Sequence, residues 1–515
     1  MKTGTLIIGA GLAGVCVALQ ARGPVLLLSP NRLGEGCASD WAQGGIAAAF
    51  DADDHPQAHA RDTIEAGGGI VDAESARLLS ESVADAVRDL ADIGVPFDRN
   101  DGGFALGREA AHSRARIVRV GGDGAGHAIM EILVQALRRC KNVRVLEGVQ
   151  ARDLLLAQGR VAGVLARDGD GKAVRIRARR TVLACGGIGQ LYRFTTNPAA
   201  SRGEGIAMAA RAGAVLSDME FVQFHPTAID TGGDPLPLAT EALRGDGAVL
   251  LDRQGTRFLR RVHPSSELAP RDVVARAIQR ERKLGPVFLD ARGIKDLSAR
   301  FPALLRACRG AGIDPCREAF PVLPAAHYHM GGIAIDANGR TSLPGLWACG
   351  EVASSGCHGA NRLAGNSLGE AIVFAKRIAR DRKDDGADFT RFDLPCIDDI
   401  PEDNGAEDKD IEQLRDLMSR RVGIERDESG LRFACGKLLQ WKRKSRAGGR
   451  LSNMSTAALL IAVSALQRRE SRGCHFRLDA AAATLPPQRS AITLAQAEDI
   501  AGQASSLPQE QPISL

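Results

Sequence analysis

The sequence of 515 residues has few aromatic side chains and no long apolar run. Phe, Trp and Tyr together make up 4% of it, which is too little for the aromatic surfaces on which proteins stack nucleic-acid bases. No apolar stretch approaches the roughly 20 residues that a membrane-spanning helix needs. The net charge of +5 is small for this length and indicates neither a nucleic-acid nor a membrane surface. We therefore expect no nucleic-acid partner and no membrane association.

The eleven cysteines form no CxxC pair and show no metal-ligand spacing, so we predict no metal site. An odd number of scattered cysteines does not suit a disulfide framework, and reduced thiols in a cytosolic protein are the simpler interpretation. The first strand pattern begins by Thr5, which leaves no room for a signal peptide. We expect a cytoplasmic protein.

A strand, a glycine-rich turn, a helix and a second strand open the chain. The apolar run Thr5–Ile8 is followed by the sequence GAGLAG at 9–14, an apolar helix pattern and the strand Val25–Leu28. This is the dinucleotide-binding fingerprint, whose glycines allow a tight turn and a close approach of the backbone to a pyrophosphate. The acidic residue expected after the second strand is replaced by Ser29. The ribose contact therefore falls to Ser29 or to the nearby Glu35, and the sequence leaves this choice open.

The segment His358–Leu368, with the sequence HGANRLAGNSL, precedes a helical pattern that ends at Ile378. Ser367 stands where a helix N-cap is expected, so the first-turn N–H groups offer a site for an anion or an electron-rich ring. Arg362, just upstream, offers a guanidinium fork for a carboxylate. Taken alone, the segment could equally be a basic loop before an ordinary capped helix.

Four further polar clusters stand in apolar settings marked by glycine or proline: 223–227, 240–245, 268–272 and 326–332. Taken singly, each histidine in them is more often structural and each arginine a surface cation. Together with Arg362, they predict a site lined by cations and hydrogen-bond donors. Such a site suits an anionic substrate with two carboxylates.

These clusters carry a family resemblance. In order along the chain, QFHPT, TEALRG, APRD, HYHMGG, ACGEVA and HGANRLAGNSL resemble the motifs of the succinate dehydrogenase and fumarate reductase flavoproteins. The resemblance runs from Thr5 to about Asp479, and the late segment SRGCH at 471–475 matches the family's SRGxH. The joint occurrence of ordered motifs makes the resemblance highly specific, and it implies FAD as the cofactor.

The resemblance and the pattern of elements predict an α/β fold with three domains. We expect a Rossmann-like, discontinuous FAD-binding domain at 1–218 and 329–385, with an inserted α+β capping domain at 219–328. Residues 386–410, rich in Asp, Gly and Pro, are expected to be an acidic linker. Residues 411–515 are expected to form a C-terminal helical domain, with a frayed tail after Leu485.

The resemblance also implies which residues surround FAD. Gln43, Gly44 and Gly45 are expected at the flavin edge and Glu351 at the ribityl hydroxyls. The helix that begins near Ser367 and Leu368 is expected at the flavin pyrimidine, where reduction places negative charge. The full set of expected cofactor residues is Gly9, Ala10, Gly11, Leu12, Ala13, Gly14, Ser29, Ala38, Ser39, Trp41, Ala42, Gln43, Gly44, Gly45, Glu204, Glu351, Ser367 and Leu368.

For the substrate, the resemblance implies a set of carboxylate-binding residues and a proton donor. Arg271 is expected to donate a proton in the fumarate-reducing direction, with Glu241 and Arg244 as its relay. A guanidinium with a pKa above about 12 is a poor general acid in water, so the alternative is that Arg271 only stabilises charge. The residues expected to hold the substrate are Glu109, Gln223, His225, Thr240, His327 and Arg362.

Two departures from the family pattern narrow the prediction. Members that bind FAD covalently carry a histidine before the AQGG segment, but residues 36–41 read GCASDW. We therefore expect non-covalent FAD. The second departure is Glu109, a carboxylate that serves no purpose with succinate but would suit the ammonium group of aspartate. Family members that oxidise L-aspartate have Arg-Glu-Gly-Gly-His-Ser at this point, whereas Ala110 and Ala111 replace the glycines here.

The resemblance is greatest to these aspartate-oxidising members. It implies oxidation of L-aspartate to iminoaspartate, with oxygen giving hydrogen peroxide or fumarate giving succinate. The imine is expected to supply quinolinate formation in NAD biosynthesis, which makes a quinolinate-forming enzyme a candidate partner. A soluble fumarate reductase is the nearest alternative. A non-catalytic flavin-binding subunit that docks through its basic C-terminal helices is an alternative of another class.

Overall fold

The computed structural model describes residues 1–100, 102–383, 407–480 and 486–505. The strands are β1 (Lys2–Ile8), β2 (Val25–Ser29), β3 (Ile46–Ala47), β4 (Arg99–Asn100), β5 (Gly103–Phe104), β6 (Leu106–Gly107), β7 (Ile117–Val118), β8 (Val143–Glu147), β9 (Gln150–Ala157), β10 (Arg160–Arg167), β11 (Ala173–Leu183), β12 (Leu216–Ser217), β13 (Val222–Ile229), β14 (Val249–Leu251), β15 (Val287–Asp290), β16 (Phe320–His329), β17 (Gly332–Ala334), β18 (Leu346–Ala348), β19 (Ala353–Ser354) and β20 (Ala491–Ile492).

The helices are α1 (Leu12–Gln20), α2 (Pro56–Ala66), α3 (Ala73–Asp92), α4 (Ala125–Arg139), α5 (Glu204–Arg211), α6 (Glu241–Gly245), α7 (Arg271–Glu281), α8 (Leu297–Arg300), α9 (Pro302–Gly310), α10 (Asn366–Arg380), α11 (Asp408–Arg421), α12 (Glu428–Lys444), α13 (Arg450–Gln467) and α14 (Leu494–Ser505). Among the described helices, none has the length and apolar character required to cross a membrane.

The largest sheet has the order β8-β2-β1-β11-β10-β9, with β18 also paired to β11. The strands β8, β2, β1, β11 and β18 run parallel, while β9 and β10 form an antiparallel hairpin. Every residue of β2 is buried, as expected for a parallel strand covered on both faces. The hairpin turns at Gln158 and Gly159, both of which have positive φ angles, of 51° and 74°.

Helices cover both faces of this sheet and so create two separate cores. Leu6 and Ile8 of β1 point into one core, which also contains α5 and the C-terminal helices. Ile7 points into the other, which contains α1, α3, α4 and α10. The alternation follows from the two-residue side-chain period of a strand. The predicted Rossmann-like α/β fold is confirmed.

A second sheet, with the order β13-β16-β15-β14, is antiparallel and lies in the segment predicted to be a cap. It packs with α6, α7 and α9 around a core of its own. The strand β13 is buried along its whole length, and it pairs with β16 from Val222 opposite His329 to Ile229 opposite Val322. This pairing brings the polar ends of β13 and β16 to the carboxyl edge of the large sheet.

The helices α11, α12, α13 and α14 lie in the segment expected to form a C-terminal helical domain. Most of α13 is buried because it packs against α12, α14 and α5. Residues 386–406 of the expected acidic linker lie outside the described residues, and 408–410 form the first turn of α11. The expectation of a frayed tail is wrong for residues 494–505, because α14 buries Ala497 and Ala501 against this helical group, whereas residues 506–515 lie outside the described residues. This helix is not evident from the sequence because its buried face consists mainly of alanines rather than of large apolar residues.

Candidate active site

A cavity of about 540 Å³ lies between the carboxyl edge of the parallel sheet and the capping sheet. Every residue expected to surround FAD lines it, with the single exception of Gly14. The substrate-binding candidates Glu109, His225, Thr240, His327 and Arg362 line the same cavity, together with the candidate catalytic residues Glu241 and Arg271. The tertiary fold thus joins segments that lie more than 300 residues apart.

The glycine turn at the start of α1 closes one end of the cavity. Gly9 has a φ angle of +108°, a conformation that favours glycine, and a side chain there would collide with the backbone of Ala184. Gly14 faces away from the cavity because it packs against the Gly9 carbonyl and lets the helix approach the strand. No side chain caps α1. The amide of Leu12 donates to Ser39 Oγ at 3.1 Å, and the rest of this helix end remains open to an anion.

Buried polar groups along the cavity fit FAD. Gln43 donates through Nε2 to the Leu238 carbonyl at 2.9 Å, whereas its buried Oε1 has no partner within the described part of the chain. Glu351 accepts from the His329 amide at 3.0 Å, and burial raises its pKa to about 7. Gly187 must be glycine here, since a Cβ would collide with the Glu351 carboxyl group. These groups can bond to a ligand that carries both donors and acceptors.

The far end of the cavity contains the candidates for the adenosine contacts. Ser29 is buried at the end of β2, and both Ser29 and Glu35 line the cavity. Glu204 lies in the first turn of α5 and accepts from Gln150 Nε2 at 3.0 Å. Although Ser29 replaces the usual acidic residue, the carboxyl groups of Glu35 and Glu204 both lie on this wall of the cavity.

The capping role predicted for Ser367 is wrong. Helix α10 begins one residue earlier, at Asn366, and its N-cap is Gly365 with a φ angle of +77°. Ser367 lies inside the first turn, where its Oγ accepts from Arg362 Nη1 at 3.1 Å. Glycine replaces the side-chain cap because the chain turns sharply against Ala47. The helix still points its first turn at the cavity, since Ser367 and Leu368 both line it.

Gln223 and Arg244 are the two substrate-end candidates that do not line the cavity. Gln223 is fully buried on β13, and its Oε1 accepts from Arg271 Nη1 at 3.0 Å and from Arg362 Nη2 at 3.2 Å. Its Nε2 donates to the Arg362 carbonyl at 3.0 Å. Gln223 thus bonds to both cavity arginines and holds them in place, and its expected contact with the substrate stays a prediction.

Arg271, Glu241 and Arg244 form a continuous chain of charges, as predicted for a relay. Arg271 Nε donates to Glu241 Oε2 at 2.5 Å, and Glu241 Oε1 lies 3.2 Å from Arg244 Nη2. Burial raises the pKa of Glu241, but the charges of Arg271 and Arg244 outweigh it and hold the pKa below its ordinary value. Arg244 also donates to the Glu267 carbonyl behind the site. Glu241 is therefore an ionised group between two cations.

Arg362 lies on the other side of Gln223. Its guanidinium carbon is 4.5 Å from the centre of the Tyr328 ring, and its buried Nε has no partner within the described part of the chain. Burial, followed by repulsion from Arg271, lowers the pKa of Arg362 to about 10. A carboxylate in the cavity would satisfy this guanidinium and relieve the repulsion.

The two histidines of the cavity contact each other, with ring centres 5.1 Å apart. The amide of Thr227 donates to His225 Nδ1 at 3.2 Å, so the proton of the neutral His225 ring lies on Nε2. Burial and then the charge of Arg271 hold the pKa of His225 well below its ordinary value. Burial and then Arg362 do the same to the pKa of His327. Both rings are neutral hydrogen-bonding groups at neutral pH.

Glu109 is a second carboxyl group among the same arginines. Burial and then the negative charge of Glu241 raise its pKa to about 7, although Arg271 and Arg362 oppose the shift. A buried carboxyl group without a direct ion pair is a ready acceptor for a cationic ligand group. The cavity therefore offers two arginines and two neutral histidines to carboxylates, and one carboxyl group to a cation.

Ala110 and Ala111 stand where the family pattern has two glycines, and one of them has a strained backbone. Ala111 adopts a φ angle of +65°, whereas Ala110 does not have a positive φ. The turn is fixed by its neighbours, since Ser113 donates to Asp62 and His112 contacts the Ala364 carbonyl at 2.9 Å. This strain explains why glycine is usual at this point of the pattern.

Tyr328, Thr196 and Asn197 are among the cavity residues that the sequence did not predict. Tyr328 lies under Arg362, and its hydroxyl donates to Glu370 Oε2 at 3.2 Å. Thr196 Oγ1 lies 2.9 Å from His327 Nδ1, and Asn197 Nδ2 donates to the His327 carbonyl at 3.0 Å. The polar run 195–197 before a proline was the available signal for the last two.

Comparison with known proteins agrees with this geometry. Residues 4–368 match a family model described as an FAD binding domain, and residues 446–490 match one described as the fumarate reductase flavoprotein C-terminus. The FrdA chain of an E. coli quinol fumarate reductase has a TM-score of 0.81 and 28% identity, with 93% of this chain and 91% of that chain covered. Sdh1 of Mycobacterium smegmatis has a TM-score of 0.77 and 31% identity, with 93% and 89% covered. Fold and site together define an FAD-binding flavoprotein of the fumarate reductase type.

Curated relatives narrow this class. An L-aspartate oxidase of Caulobacter vibrioides is 50% identical over 501 residues, which cover 95% of this chain and 96% of the relative. An L-aspartate oxidase of Mesorhizobium japonicum is 47% identical over 479 residues, which cover 92% and 91%. The chain belongs to the L-aspartate oxidase family.

The strain at Ala111 predicts that the substitution Ala111→Gly stabilises the protein. Relief of the left-handed conformation should exceed the extra entropy of glycine in the unfolded chain and raise the free energy of unfolding by about 0.5–1 kcal/mol. Urea unfolding of the FAD-saturated protein measures this. The matched control, Ala110→Gly, should destabilise by a similar amount because Ala110 is unstrained. Equal effects of the two substitutions would contradict the assigned strain.

Proposed function

We propose that this protein is an FAD-dependent enzyme that oxidises L-aspartate to iminoaspartate. The observation that carries the proposal is the position of Glu109, a carboxyl group that lines the substrate end of the cavity near Arg271 and Arg362. A dicarboxylate needs only the arginines, whereas an amino dicarboxylate also needs an acceptor for its ammonium group. The name shared by the curated relatives supports the same substrate.

FAD, when bound along the cavity, would supply the two-electron oxidising chemistry of this reaction. The protein's own residues bind and orient the substrate. Arg362 takes a carboxylate, with the neutral His225 and His327 and the hydroxyl of Thr240 as further donors, and Arg271 faces the reacting carbons. Glu109 accepts the ammonium group and so places the α-carbon.

When fumarate is the electron acceptor, its reduction to succinate requires that the site deliver a proton to one of the two central carbons. Arg271 is the candidate donor, because it faces the cavity and is bonded to Glu241, which can return the proton. The alternative is that Arg271 only stabilises the charge that develops on the substrate.

We further propose that oxygen, giving hydrogen peroxide, or fumarate, giving succinate, reoxidises the enzyme. Iminoaspartate hydrolyses readily as an imine, which favours its prompt use by a quinolinate-forming enzyme in NAD biosynthesis. We place this chemistry in the cytoplasm. FAD is proposed to bind non-covalently, since residues 36–41 of the cavity wall contain no histidine.

A soluble fumarate reductase is the second candidate, and the likeness to fumarate reductase flavoproteins favours it. One preparation can decide between the two. The purified, FAD-loaded protein should convert L-aspartate and release hydrogen peroxide in air, and acid denaturation should release its FAD into the filtrate. Fumarate reduction without any aspartate turnover would establish the second candidate instead.

Substitution of Glu109 tests the ammonium contact. Glu109→Gln keeps the shape of the side chain but removes its charge, and should lower kcat/KM for L-aspartate on the order of 100-fold. Fumarate reduction should stay within about threefold of the wild-type value, because fumarate has no ammonium group. Steady-state kinetics with both substrates give the comparison. Equal losses in the two reactions would exclude Glu109 as the ammonium acceptor.

The pKa of Glu109 supplies a second readout. With a pKa of about 7, Glu109 is protonated below this pH and cannot attract the ammonium group. In the wild type, kcat/KM for L-aspartate should fall as the pH decreases below about 7 and level off above it. Glu109→Gln should lose this acidic limb. An unchanged limb in the variant would show that another group titrates.

Substitution of Arg271 tests the proton donor. Arg271→Leu should retain FAD, since the residue lies at the substrate end, and should lower fumarate reduction by at least about 10⁴-fold. Arg271→Lys restores the charge without the contact to Glu241 and separates electrostatic stabilisation from proton transfer. Flavin absorbance confirms the FAD content. A variant Arg271→Leu that still reduced fumarate well would exclude Arg271 as the donor.

A further inference from the structure

The position of Glu109 is fixed by its backbone. Its carboxyl group forms no hydrogen bond with the residues that the structure describes. Glu109 and His112 are the first and last residues of a tight turn in the loop between β6 and β7, which we call the Glu109 turn. The His112 amide closes this turn, because it donates to the Glu109 carbonyl at 3.3 Å. A group that holds His112 therefore also holds the backbone of Glu109.

The His112 side chain joins this turn to the loop of Arg362. His112 is buried and does not line the cavity. Its Nε2 lies 2.9 Å from the carbonyl of Ala364, two residues after Arg362, and its Nδ1 lies 3.3 Å from Arg116 Nη1. Because a carbonyl only accepts and a guanidinium only donates, the ring proton lies on Nε2 and the lone pair on Nδ1. The ring thus bonds in two directions at once, as a donor and as an acceptor.

The surroundings keep this ring neutral and fix its orientation. Burial lowers the pKa of His112 to about 4, and the charge of Arg116 acts in the same sense, although the bond to Ala364 opposes it. Arg116 is itself fully buried, donates to both carboxylate oxygens of Asp54 at 2.9 Å and pairs with Asp62. The donor that faces His112 Nδ1 therefore has a fixed position.

The residue that follows His112 is anchored as well. Ser113 donates to Asp62 through both its amide and its hydroxyl, each at 2.8 Å. Since Asp62 belongs to α2, the end of the Glu109 turn is attached to a helix of the FAD-binding part. The bond from His112 to the Ala364 carbonyl adds the attachment that relates this turn to the substrate end of the cavity.

The loop of Arg362 depends less on this bond than the Glu109 turn does. Gln223 Nε2 donates to the Arg362 carbonyl at 3.0 Å, and the Ala47 amide donates to the Gly365 carbonyl at 3.0 Å. Loss of the His112 bond would therefore leave Arg362 in place and release Glu109.

We propose that His112 is a positioning residue that sets the distance between Glu109 and Arg362. These two groups are proposed to take the ammonium group and a carboxylate of the same substrate, so their spacing selects an amino dicarboxylate. The bond from Nε2 to the Ala364 carbonyl holds this spacing. Fumarate has no ammonium group and does not use it. The inference rests on the proposed function, from which it takes the role of Glu109.

Two conservative substitutions separate the two bonds of the ring. The amide nitrogen of Gln can take the place of Nε2, whereas the amide oxygen of the shorter Asn can take only that of Nδ1. His112→Asn should lower kcat/KM for L-aspartate at least about tenfold and keep fumarate reduction within about threefold of the wild-type value. His112→Gln should keep both reactions within about threefold. Equal losses of the two reactions in His112→Asn, or the same selective loss in His112→Gln, would overturn the proposal.

A double-mutant cycle shows whether His112 acts through Glu109. In Glu109→Gln the ammonium contact is already removed, so the further change His112→Asn should lower kcat/KM for L-aspartate by less than about twofold. A merely structural role would give the same loss in both backgrounds. Such additive losses would overturn the proposal.

His59 provides the matched control. It is a second buried histidine, with its ring centre 6.4 Å from that of His112, and it bonds through Nε2 to Asn366 Oδ1 at 2.7 Å. His59→Asn should change the two reactions by the same factor, and a selective loss of aspartate oxidation would overturn the assignment to His112. Steady-state kinetics of the FAD-loaded proteins give all these values. A wild type that does not oxidise L-aspartate would refute the proposed function, whereas additive losses in an active wild type would refute this inference alone.

Discussion

The site depends on one buried amide that holds two like charges close together. Gln223 accepts from both Arg271 and Arg362, whose like charges repel each other strongly because both side chains are buried. Glu241 neutralises Arg271, while Arg362 keeps a lowered pKa and an Nε donor that has no partner among the described residues. The two guanidinium groups repel each other, and a bound dicarboxylate would reduce this repulsion. The closeness of the arginines therefore favours the binding of a dianion.

The fold brings these charged groups together from distant parts of the chain. Gln223 belongs to the strand β13, Arg271 to the start of the helix α7 and Arg362 to the loop before α10, and all three meet where the capping sheet lies against the carboxyl edge of the parallel sheet. The carboxyl edge of the parallel sheet supplies the cofactor loops and the paired strands β13 and β16 supply the histidines.

The nucleotide-binding part was predictable because its signals are local. The GAGLAG turn and the parallel strands follow from glycine sterics and from buried apolar runs, and all but three of the predicted site residues line the cavity. One error arose where residue types did not determine the backbone path. Ser367 was assigned a capping role, but Gly365 adopts the positive φ angle at the start of the helix, and the Ser367 hydroxyl accepts from Arg362.

The sequence by itself determined the fold class, the cofactor and the set of charged groups in the site, because these follow from motifs whose chemistry does not depend on distant contacts. Only the tertiary structure decided the roles within that set. It turned Gln223 and Arg244 behind the cavity wall and forced Ala111 into a left-handed conformation. Orientation, burial and pKa arise from groups far apart in the chain, and a linear pattern does not contain the distances between them.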